Sequence, residues 1–336
     1  MKKHKTLIFF LISLLLFAIV FVVALMVGRY SISFTNFFRA LFTNDPALET
    51  ERSVIVNLRL PRTIVAGATG VALSISGLLY QETFQNKLVS PDLLGVSNGA
   101  GVGAALAIVL GLSTAFINIF AFIIAVGTVL LTVVISKLFR NSSSMTLLLS
   151  GIIISGLMGS ILALLKYFAE ADTQLAAITY WLMGSFEKSD MMTVYILTPI
   201  VAVCVAILLI LRWRINVVAL GQEEAESKGL NYKFYRYLII GIATLLTATT
   251  VAFSGTISWV GLVIPHIVRL IAGRDTRKTI PLCITFGGVF MVLVDILSRS
   301  FTDQEIPLSA VTGIFGTIVF IVILIKYWRT YHEHQS

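Results

Sequence analysis

The chain is a succession of long apolar stretches separated by short polar ones. Residues 93–136 contain no Asp, Glu, Lys or Arg, and neither do residues 237–268. About 20 consecutive apolar residues are enough for a helix to cross the hydrocarbon core of a bilayer. Division at charges, glycines and prolines predicts an all-α integral membrane protein of about ten transmembrane helices. The predicted spans are 7–28, 63–82, 93–112, 114–136, 145–166, 191–211, 237–254, 258–271, 279–300 and 306–326.

No polar segment is long enough to fold as a separate soluble domain. The longest are residues 29–62, 167–190 and 212–236, and each is too short to bury a core of its own. The sequence therefore predicts a single transmembrane domain over residues 1–336. The first apolar run imitates a signal peptide, but it exceeds the usual length of about 7–15 residues and no small-residue cleavage site follows. We expect it to be a retained span.

Composition and charge agree with lipid as the solvent. The chain is 57% hydrophobic and 12% charged, whereas about 25% of a soluble domain is charged. Its net charge of +8 is scattered over short loops, which favours contact with anionic lipid and predicts no nucleic-acid partner. With the N-terminus inside, the inner segments hold 16 Lys and Arg and the outer segments 8. The positive-inside rule therefore predicts that both termini are cytoplasmic.

Small residues recur at the spacing of about one helical turn in the second and third predicted spans. This spacing lets two helix backbones approach closely. A Gly-rich stretch such as residues 95–103 also suits a phosphate cradle, but neither a strand nor a Lys accompanies it. We therefore expect helix packing, with a role in the transport path left open. The small residues are Gly67, Gly70, Gly77, Gly95, Gly99 and Gly103.

The residues that enzymatic or metal chemistry needs do not come together in the sequence. Three of the four histidines lie in the terminal tails, and His266 stands alone in a predicted span, so neither a haem pair nor a metal site is expected. We expect His266 to bond instead to the backbone that Pro265 frees. Cys204 and Cys283 have no C-x-x-C spacing and are interpreted as packing residues. No Lys-Ser or Lys-Thr pair follows the Gly of a Walker A loop. We expect no cofactor, no metal and no enzymatic activity of this chain.

Asp295 is the only acid that lies clearly inside a predicted span. Ion-coupled transporters hold carboxylates or histidines in the membrane, so Asp295 leaves a proton or sodium site open. Arg299 follows it by four residues, which predicts a simple i,i+4 ion pair. An ion-coupled secondary transporter and a membrane-embedded enzyme or redox subunit therefore remain as alternatives to a transporter that is driven from outside.

A short acidic segment after the sixth predicted span is the best candidate for a surface that receives energy from another protein. Residues 219–230 read Ala-Leu-Gly-Gln-Glu-Glu-Ala-Glu-Ser-Lys-Gly-Leu, a pattern typical of a short helix that ends at Gly229. Apolar positions interrupted by Glu223 and Glu224 suit a helix that lies in a protein groove. By charge alone, a solvated loop is equally compatible with the segment.

This segment resembles the ATPase-coupling loop of FecCD/BtuC-type permeases, which are subunits of ATP-binding-cassette (ABC) importers for ferric siderophores, haem or cobalamin. Four further stretches agree with that family in order and spacing, over nearly the whole chain. They are Arg-Leu-Pro-Arg at 59–62, Ser-Pro-Asp-Leu-Leu-Gly-Val-Ser-Asn-Gly-Ala-Gly at 90–101, Tyr-Trp-Leu-Met-Gly-Ser at 180–185 and Gly-Thr-Ile-Ser-Trp-Val-Gly-Leu-Val-Ile-Pro-His-Ile-Val-Arg at 255–269.

The resemblance implies a BtuC-like permease fold in the cytoplasmic membrane of a bacterium. It implies four kinds of partner: ABC ATPase subunits, an extracytoplasmic substrate-binding lipoprotein, a second permease subunit that is identical or homologous, and membrane lipid. It also implies that a ferric siderophore is the cargo, moved by alternating access, with haem or cobalamin as alternatives.

The same resemblance implies three groups of site residues. The ATPase-coupling residues are Ala219, Gly221, Glu223, Glu224, Ala225 and Gly229. The residues that dock the binding protein are Arg59, Arg62 and Arg299, for which snorkelling to head groups or pairing within the subunit is the alternative. The residues of the translocation path and cytoplasmic gate are Asn86, Leu88, Ser97, Asn98, Gly99, Ser143 and Ser144, and Lys87 stands where the family usually has Pro.

Overall fold

A computed structural model describes residues 2–43, 45–139 and 144–333, and in these ranges the chain forms helices and connecting turns without a strand. The helices are α1 (Lys2–Met26), α2 (Phe34–Phe42), α3 (Glu49–Ser53), α4 (Leu60–Thr83), α5 (Val96–Val109), α6 (Thr114–Leu138), α7 (Ser144–Phe168), α8 (Ala176–Met183), α9 (Met191–Val218), α10 (Gln222–Ser227), α11 (Tyr232–Ser254), α12 (Val260–Ala272), α13 (Thr276–Ser300) and α14 (Leu308–Glu333). Short 3-10 or π turns occupy Pro46–Leu48, Val54–Arg59, Pro91–Leu94 and Ala171–Leu175.

Seven helices in the described part of the chain are long and apolar enough to cross a membrane, namely α1, α4 with the turns before it, α6, α7, α9, α11 and α13. Two shorter apolar helices, α5 (Val96–Val109) and α12 (Val260–Ala272), accompany them, and α14 is apolar from Leu308 to Ile323. A 14-residue helix is only about 21 Å long, whereas the hydrocarbon core is about 30 Å thick. The predicted all-α membrane architecture is confirmed, but the count of ten spans is not.

The polar segments contain more helix than the sequence predicts. Residues 29–62 hold α2 and α3, and the chain then continues helically into α4; residues 167–190 hold α8. The predicted loop 212–236 shrinks to residues 219–231, because α9 continues through its charged end to Val218. Helix ends follow backbone caps rather than the loss of hydrophobicity: the side chain of Asn231 accepts from the N–H of Phe234 and starts α11.

Helix α4 forms the centre of the bundle. Of its most apolar stretch 89% is buried, against 17% for α1, and it packs against α9, α11, α12 and α13. A Cβ atom at Gly70 would lie 2.0 Å from the carbonyl oxygen of Gly287 in α13, and one at Gly77 would lie 1.9 Å from that of Gly261 in α12. The close helix approach predicted at these two glycines is therefore confirmed.

The same device joins α5 to α6. A Cβ atom at Gly99 would lie 2.2 Å from Oγ1 of Thr128, and one at Gly103 would lie 2.3 Å from the carbonyl oxygen of Phe120. Gly95 differs, because it precedes α5 in the left-handed conformation, with φ +81°. It ends the Pro91–Leu94 turn, where an L side chain would be strained.

Candidate functional site

The bundle has two ends that carry the predicted site residues. At the end we call the coupling end, α4, α9 and α12 finish and α5, α11 and α13 begin. There the side chain of Asn216 accepts from the backbone N–H of Thr276 at 3.0 Å, which joins the end of α9 to the start of α13. At the opposite end, called the arginine end, α1 and α13 finish and α4 begins.

The segment between α9 and α11 forms a short helix, α10, as the sequence pattern predicts. Ala225 and Leu230 are buried in the bundle surface, and the N–H of Leu230 donates to the carbonyl of Ala225 at 3.0 Å. Gly229 follows α10 with φ +72°. Glu223 and Glu224 are exposed, so this segment is anchored by two apolar side chains and presents carboxylates outward.

One side chain links this segment to the loop that follows α4. The Nε2 of Gln85 donates to the carbonyl oxygen of Ala219 at 3.3 Å. A Cβ atom at Gly221, whose φ is +105°, would lie 2.8 Å from that same nitrogen. Gln85 itself has a positive φ of 52°, a conformation that non-glycine residues adopt uncommonly. Nothing in the sequence around Gln85 predicts this bond.

The loop after α4 carries two of the predicted gate residues. The side chain of Asn86 accepts from the backbone N–H of Leu88 at 3.0 Å, and Leu88 is 61% exposed. Burial lowers the pKa of Lys87 between them, the nearby Arg274 and Arg269 lower it further, and Glu82 opposes this effect. The loop is thus a compact turn with an apolar tip in a positively charged neighbourhood.

The other predicted path residues lie in helix contacts. Ser97 donates from its hydroxyl to the carboxylate of Asp92, and the amide of Asn98 donates to the carbonyl and hydroxyl oxygens of Ser155 in α7 at 3.1 and 2.8 Å. Ser144 begins α7 and is half-buried. Ser143 lies outside the described residues. The role of this group in a path or gate stays a prediction.

The coupling end also holds an ion pair that the sequence does not predict. Arg269 donates to the carboxylate of Glu82 at 2.9 Å and to the amide oxygen of Gln81 at 2.5 Å. Glu82 lies in the last turn of α4, so Asp295 is not the only acid in an apolar helix. The pair joins the end of α4 to the end of α12.

Pro265 explains why Gln81 is needed here. A proline has no N–H to donate to the carbonyl four residues earlier, which in α12 is that of Gly261. The Nε2 of Gln81 donates to this carbonyl at 3.1 Å. The expectation that His266 satisfies the backbone freed by Pro265 is wrong, because its Nδ1 contacts the carbonyl of Leu262 at 2.9 Å.

At the arginine end, Arg59 is 5% exposed and bonds to the end of α1. Its guanidinium donates to the carbonyl oxygens of Leu25 and Met26 at 2.9 and 2.7 Å, and also to that of Tyr30. The last carbonyls of a helix have no partner within the helix, and the arginine supplies one. Gly28 leaves the space, since a Cβ atom there would lie 2.8 Å from the guanidinium.

Arg62, Asp295, Arg299 and Glu305 form one cluster, in which the first three are buried and Glu305 is partly exposed. The Nε of Arg62 donates to Asp295 at 2.7 Å, and its two terminal nitrogens reach both oxygens of Glu305 at 2.5 and 3.0 Å. The Nε of Arg299 lies 3.2 Å from the second oxygen of Asp295, without hydrogen-bond alignment. The ion pair predicted between Asp295 and Arg299 is therefore present, and Arg62 is an additional partner.

The three predicted docking arginines thus lie together at one end, but all are buried and bonded within the chain. Arg299 also donates to the carbonyl of Ala24 at 2.5 Å. The arginines therefore pair within the subunit, which is the alternative to docking that the sequence leaves open. Docking itself stays a prediction. Glu305 lies five residues beyond the end of α13, outside every sequence motif described above, so no sequence signal predicts its place in the cluster.

Beside this cluster lies a cavity of about 520 Å³ between α8 and the connection from α13 to α14. Tyr180, Met183 and Glu305 are among the residues that line it. The wall of the cavity combines an aromatic ring and apolar side chains with one carboxylate, which Arg62 holds. The ring of Tyr180 is 72% exposed.

The amino-acid sequence of this chain is similar to those of known membrane permeases. Residues 15–326 match the sequence model of the FecCD transport family. The chain is 36% identical over 318 residues to the molybdate import system permease protein MolB of Haemophilus influenzae, an alignment that covers 94% of each chain. It is 33% identical over 285 residues to the probable iron chelatin transport system permease protein of Helicobacter pylori strain 26695, which covers 85% of this chain and 86% of the relative.

A solved structure has the same fold. It is an inward-facing ABC transporter assigned to the metal-chelate type, with a TM-score of 0.86 and 35% sequence identity. The match covers 94% of this chain and 98% of the other.

Proposed function

Since the chain belongs to the FecCD transport family, as a permease subunit of an ABC importer, we propose that it moves an iron–siderophore complex across the cytoplasmic membrane of a bacterium by alternating access. Family members work with ABC ATPase subunits and substrate-binding proteins, and we propose the same partners here, together with a second permease subunit. The partner ATPase hydrolyses ATP, and the permease makes no covalent bond.

The observation that carries this mechanism is the bond between Gln85 and Ala219. Closure of the ATPase subunits would push on α10, whose exposed glutamates form the contact surface. Because Gly221 lies against the same Gln85 amide, the movement passes to the loop after α4. Leu88 at the exposed tip of that loop then shifts, and the transport path, previously open to the outer side of the membrane, becomes open to the cytoplasm.

We propose that the coupling end faces the cytoplasm. Basic residues are concentrated there, including Arg269 and Arg274, which are close enough to Lys87 to lower its pKa. Cytoplasmic loops carry an excess of Lys and Arg. This orientation also places both termini in the cytoplasm and the arginine end outside.

The cavity beside α8 is the proposed entry for cargo at the outer end. Tyr180 and Met183 offer contact area, and the charge of Glu305 is engaged by Arg62. A path that must release a bulky chelate needs weak contacts. The affinity for the cargo would therefore reside in the binding protein.

Ferric siderophore as cargo is supported by the iron chelatin relative and by the metal-chelate type of the similar structure. The molybdate relative favours a second candidate, an oxyanion; haem and cobalamin are the alternatives from the resemblance. The test is uptake into proteoliposomes that contain the permease, its ATPase and its binding protein. We expect ATP-dependent uptake of radioactive iron as ferric siderophore, unaffected by excess molybdate, haem or cobalamin. Uptake of one of those competitors instead would contradict the cargo proposal and leave the mechanism standing.

Ion coupling is disfavoured by the environment of Asp295. Its carboxylate lies between the guanidinium groups of Arg62 and Arg299, so a proton or sodium ion would compete with two fixed positive charges. We expect a protonophore at constant ATP to leave uptake unchanged. Loss of uptake under these conditions would favour an ion-coupled mechanism.

Docking of the binding protein at the arginine end is proposed to rest on long-range charge. The guanidinium donors of Arg59, Arg62 and Arg299 are engaged within the chain, so their positive charge would attract acidic residues of the binding protein over a distance instead of through direct hydrogen bonds. Such a field raises association rates more than affinity. Docking should therefore weaken as salt rises, mainly through the association rate. A salt-independent association rate would contradict this proposal.

A further inference from the structure

Helix α2 has an exposed aromatic face that the proposed transport function does not use. The helix follows α1 at the arginine end, and the side chain of Ser33 caps its start by accepting from the N–H of Asn36 at 3.2 Å. Side chains advance by about 100° per residue around a helix. Its nine residues therefore fall into three arcs: one buried, one polar and one aromatic.

The buried arc attaches α2 to the end of α1. Phe37 and Ala40 are 3% and 1% exposed. They pack in a small apolar cluster with Leu25 of α1, Leu48 and Ile55, separate from the main core of the bundle. α2 is therefore held at the periphery of the protein, beside the end of a helix that is itself mostly uncovered.

The aromatic arc consists of Phe34, Phe38 and Phe42, which are 67%, 40% and 80% exposed. Their rings follow one another along the helix, with centroids 4.9 Å apart for the first pair and 6.4 Å for the second. Three neighbouring phenylalanine rings in water would form an unfavourable apolar patch. This face therefore needs a partner.

The polar arc indicates which partner it is. Thr35 and Arg39 are exposed on the side of α2 that lies beyond the phenylalanines, and Arg39 forms an ion pair with Asp45 at 2.8 Å. A helix with one apolar and one charged face suits the boundary between lipid and water. Exposed apolar side chains also run along α1 on the lipid-facing side of the bundle. They continue through Val23 near the end of α1 and Val27 just after it, and so reach the connection that leads to α2.

We propose that α2 is an interfacial anchor whose three phenylalanine rings insert into the lipid leaflet at the arginine end. The buried arc holds the protein, the aromatic arc enters the acyl chains just below the head groups, and the polar arc faces water. The anchor fixes the depth of the α1–α4 connection, and with it the position of Arg59, which bonds to both the end of α1 and Tyr30.

Site-directed spin labelling of the full chain in lipid vesicles tests this proposal. The background carries Cys204→Ala and Cys283→Ala, and single labels are placed at Phe38→Cys, Phe42→Cys and, as the matched control on the polar arc, Arg39→Cys. The measured quantity is collision with oxygen, which concentrates in lipid, relative to collision with a water-soluble nickel chelate. We expect oxygen to dominate at positions 38 and 42 and the nickel chelate to dominate at position 39.

Two outcomes would overturn the anchor. Nickel accessibility at positions 38 and 42 equal to that at position 39 would place the rings in water. Protection that appears only when the binding protein is added, or that disappears when the permease is diluted in lipid, would assign the face to that protein or to a second copy. Neither outcome depends on the cargo or on ATP-driven uptake, so failure of the anchor is distinguishable from failure of the transport proposal.

Discussion

The two ends of the bundle differ in what accompanies the ion pairs that hold α4. Arg62 joins α4 to α13 through the fully buried Asp295 at the arginine end, and Arg269 joins α12 to α4 through Glu82 at the coupling end. The coupling end adds a weaker link, in which one amide of the exposed Gln85 holds the carbonyl of Ala219. Removal of one member of a buried ion pair costs about 3–5 kcal/mol, whereas a typical hydrogen bond contributes about 0.5–1.5 kcal/mol. The difference indicates that α4 stays fixed to its neighbours at both ends, while the link between the coupling segment and the loop after α4 is weak enough to transmit movement.

Asp295→Asn should have the largest effect, because it removes the negative charge between Arg62 and Arg299. We expect a loss of about 3–5 kcal/mol, seen as a lower unfolding temperature and a smaller folded fraction in detergent. Asp303→Asn is the matched control, since Asp303 is exposed at the same end. Equal stability of the two variants would show that the buried cluster does not hold this end together.

Gln85→Leu should impair transport more than it impairs folding. Loss of its hydrogen bond to Ala219 removes at most about 1.4 kcal/mol of interaction between the coupling segment and the gate loop. We therefore expect the uptake rate to fall by up to about tenfold. ATPase association and unfolding temperature should stay near those of the unchanged protein. Gln222→Ala is the control, because the amide of Gln222 bonds to Glu226 within α10. Unchanged uptake in Gln85→Leu would remove the proposed link between α10 and the gate loop.

Glu305→Gln separates the contributions within the arginine end. Glu305 is partly exposed, and Arg62 keeps Asp295 as a partner when the charge of Glu305 is lost. The expected loss of stability is therefore about 1 kcal/mol, well below that of Asp295→Asn. The check is thermal unfolding of both variants in the same detergent. A loss as large as that of Asp295→Asn would mean that the cluster acts as one unit.

Glu224→Lys should have the smallest effect, because Glu224 is exposed and makes only a 3.8 Å contact with Lys228. We expect ATPase binding to weaken by up to about fivefold, as for an exposed ion pair, while the stability of the permease is unchanged. Affinity for the purified ATPase is the measurement, and Glu187→Lys, an exposed acid outside the coupling segment, is the control. Equal ATPase affinity in both variants would separate α10 from the ATPase contact.

The parts of the fold that the sequence predicts are those with a local physical cause. Long apolar runs predict membrane helices, and glycines at helical spacing predict the close crossings at Gly70 and Gly77. The short helix before Gly229 is likewise readable, because Gly readily adopts a positive φ at a helix end. The loop boundary at 212 is wrong because charged residues do not end a helix when no cap is present.

Functional residues that act through distant partners are harder to predict. Arg62 and Glu305 are 243 residues apart, and Gln85 and Ala219 are 134 apart. No periodicity relates such positions, so neither interaction can be read along the chain. The same distance explains why the sequence does not reveal that the three arginines, which the resemblance assigns to docking, are bonded within the chain.

The order of residues is sufficient to place this chain in lipid as an all-α bundle and, through motifs spread along it, to show which family of importers it resembles. Hydrophobicity and backbone conformation depend on each residue and its neighbours, so they can be read along the chain. Only the folded arrangement reveals which charges are engaged inside the bundle, that Gln81 satisfies the carbonyl freed by Pro265, and that α2 leaves three phenylalanines uncovered. These depend on which groups meet across the fold, because a buried charge or carbonyl is stable only when a partner from elsewhere in the chain reaches it.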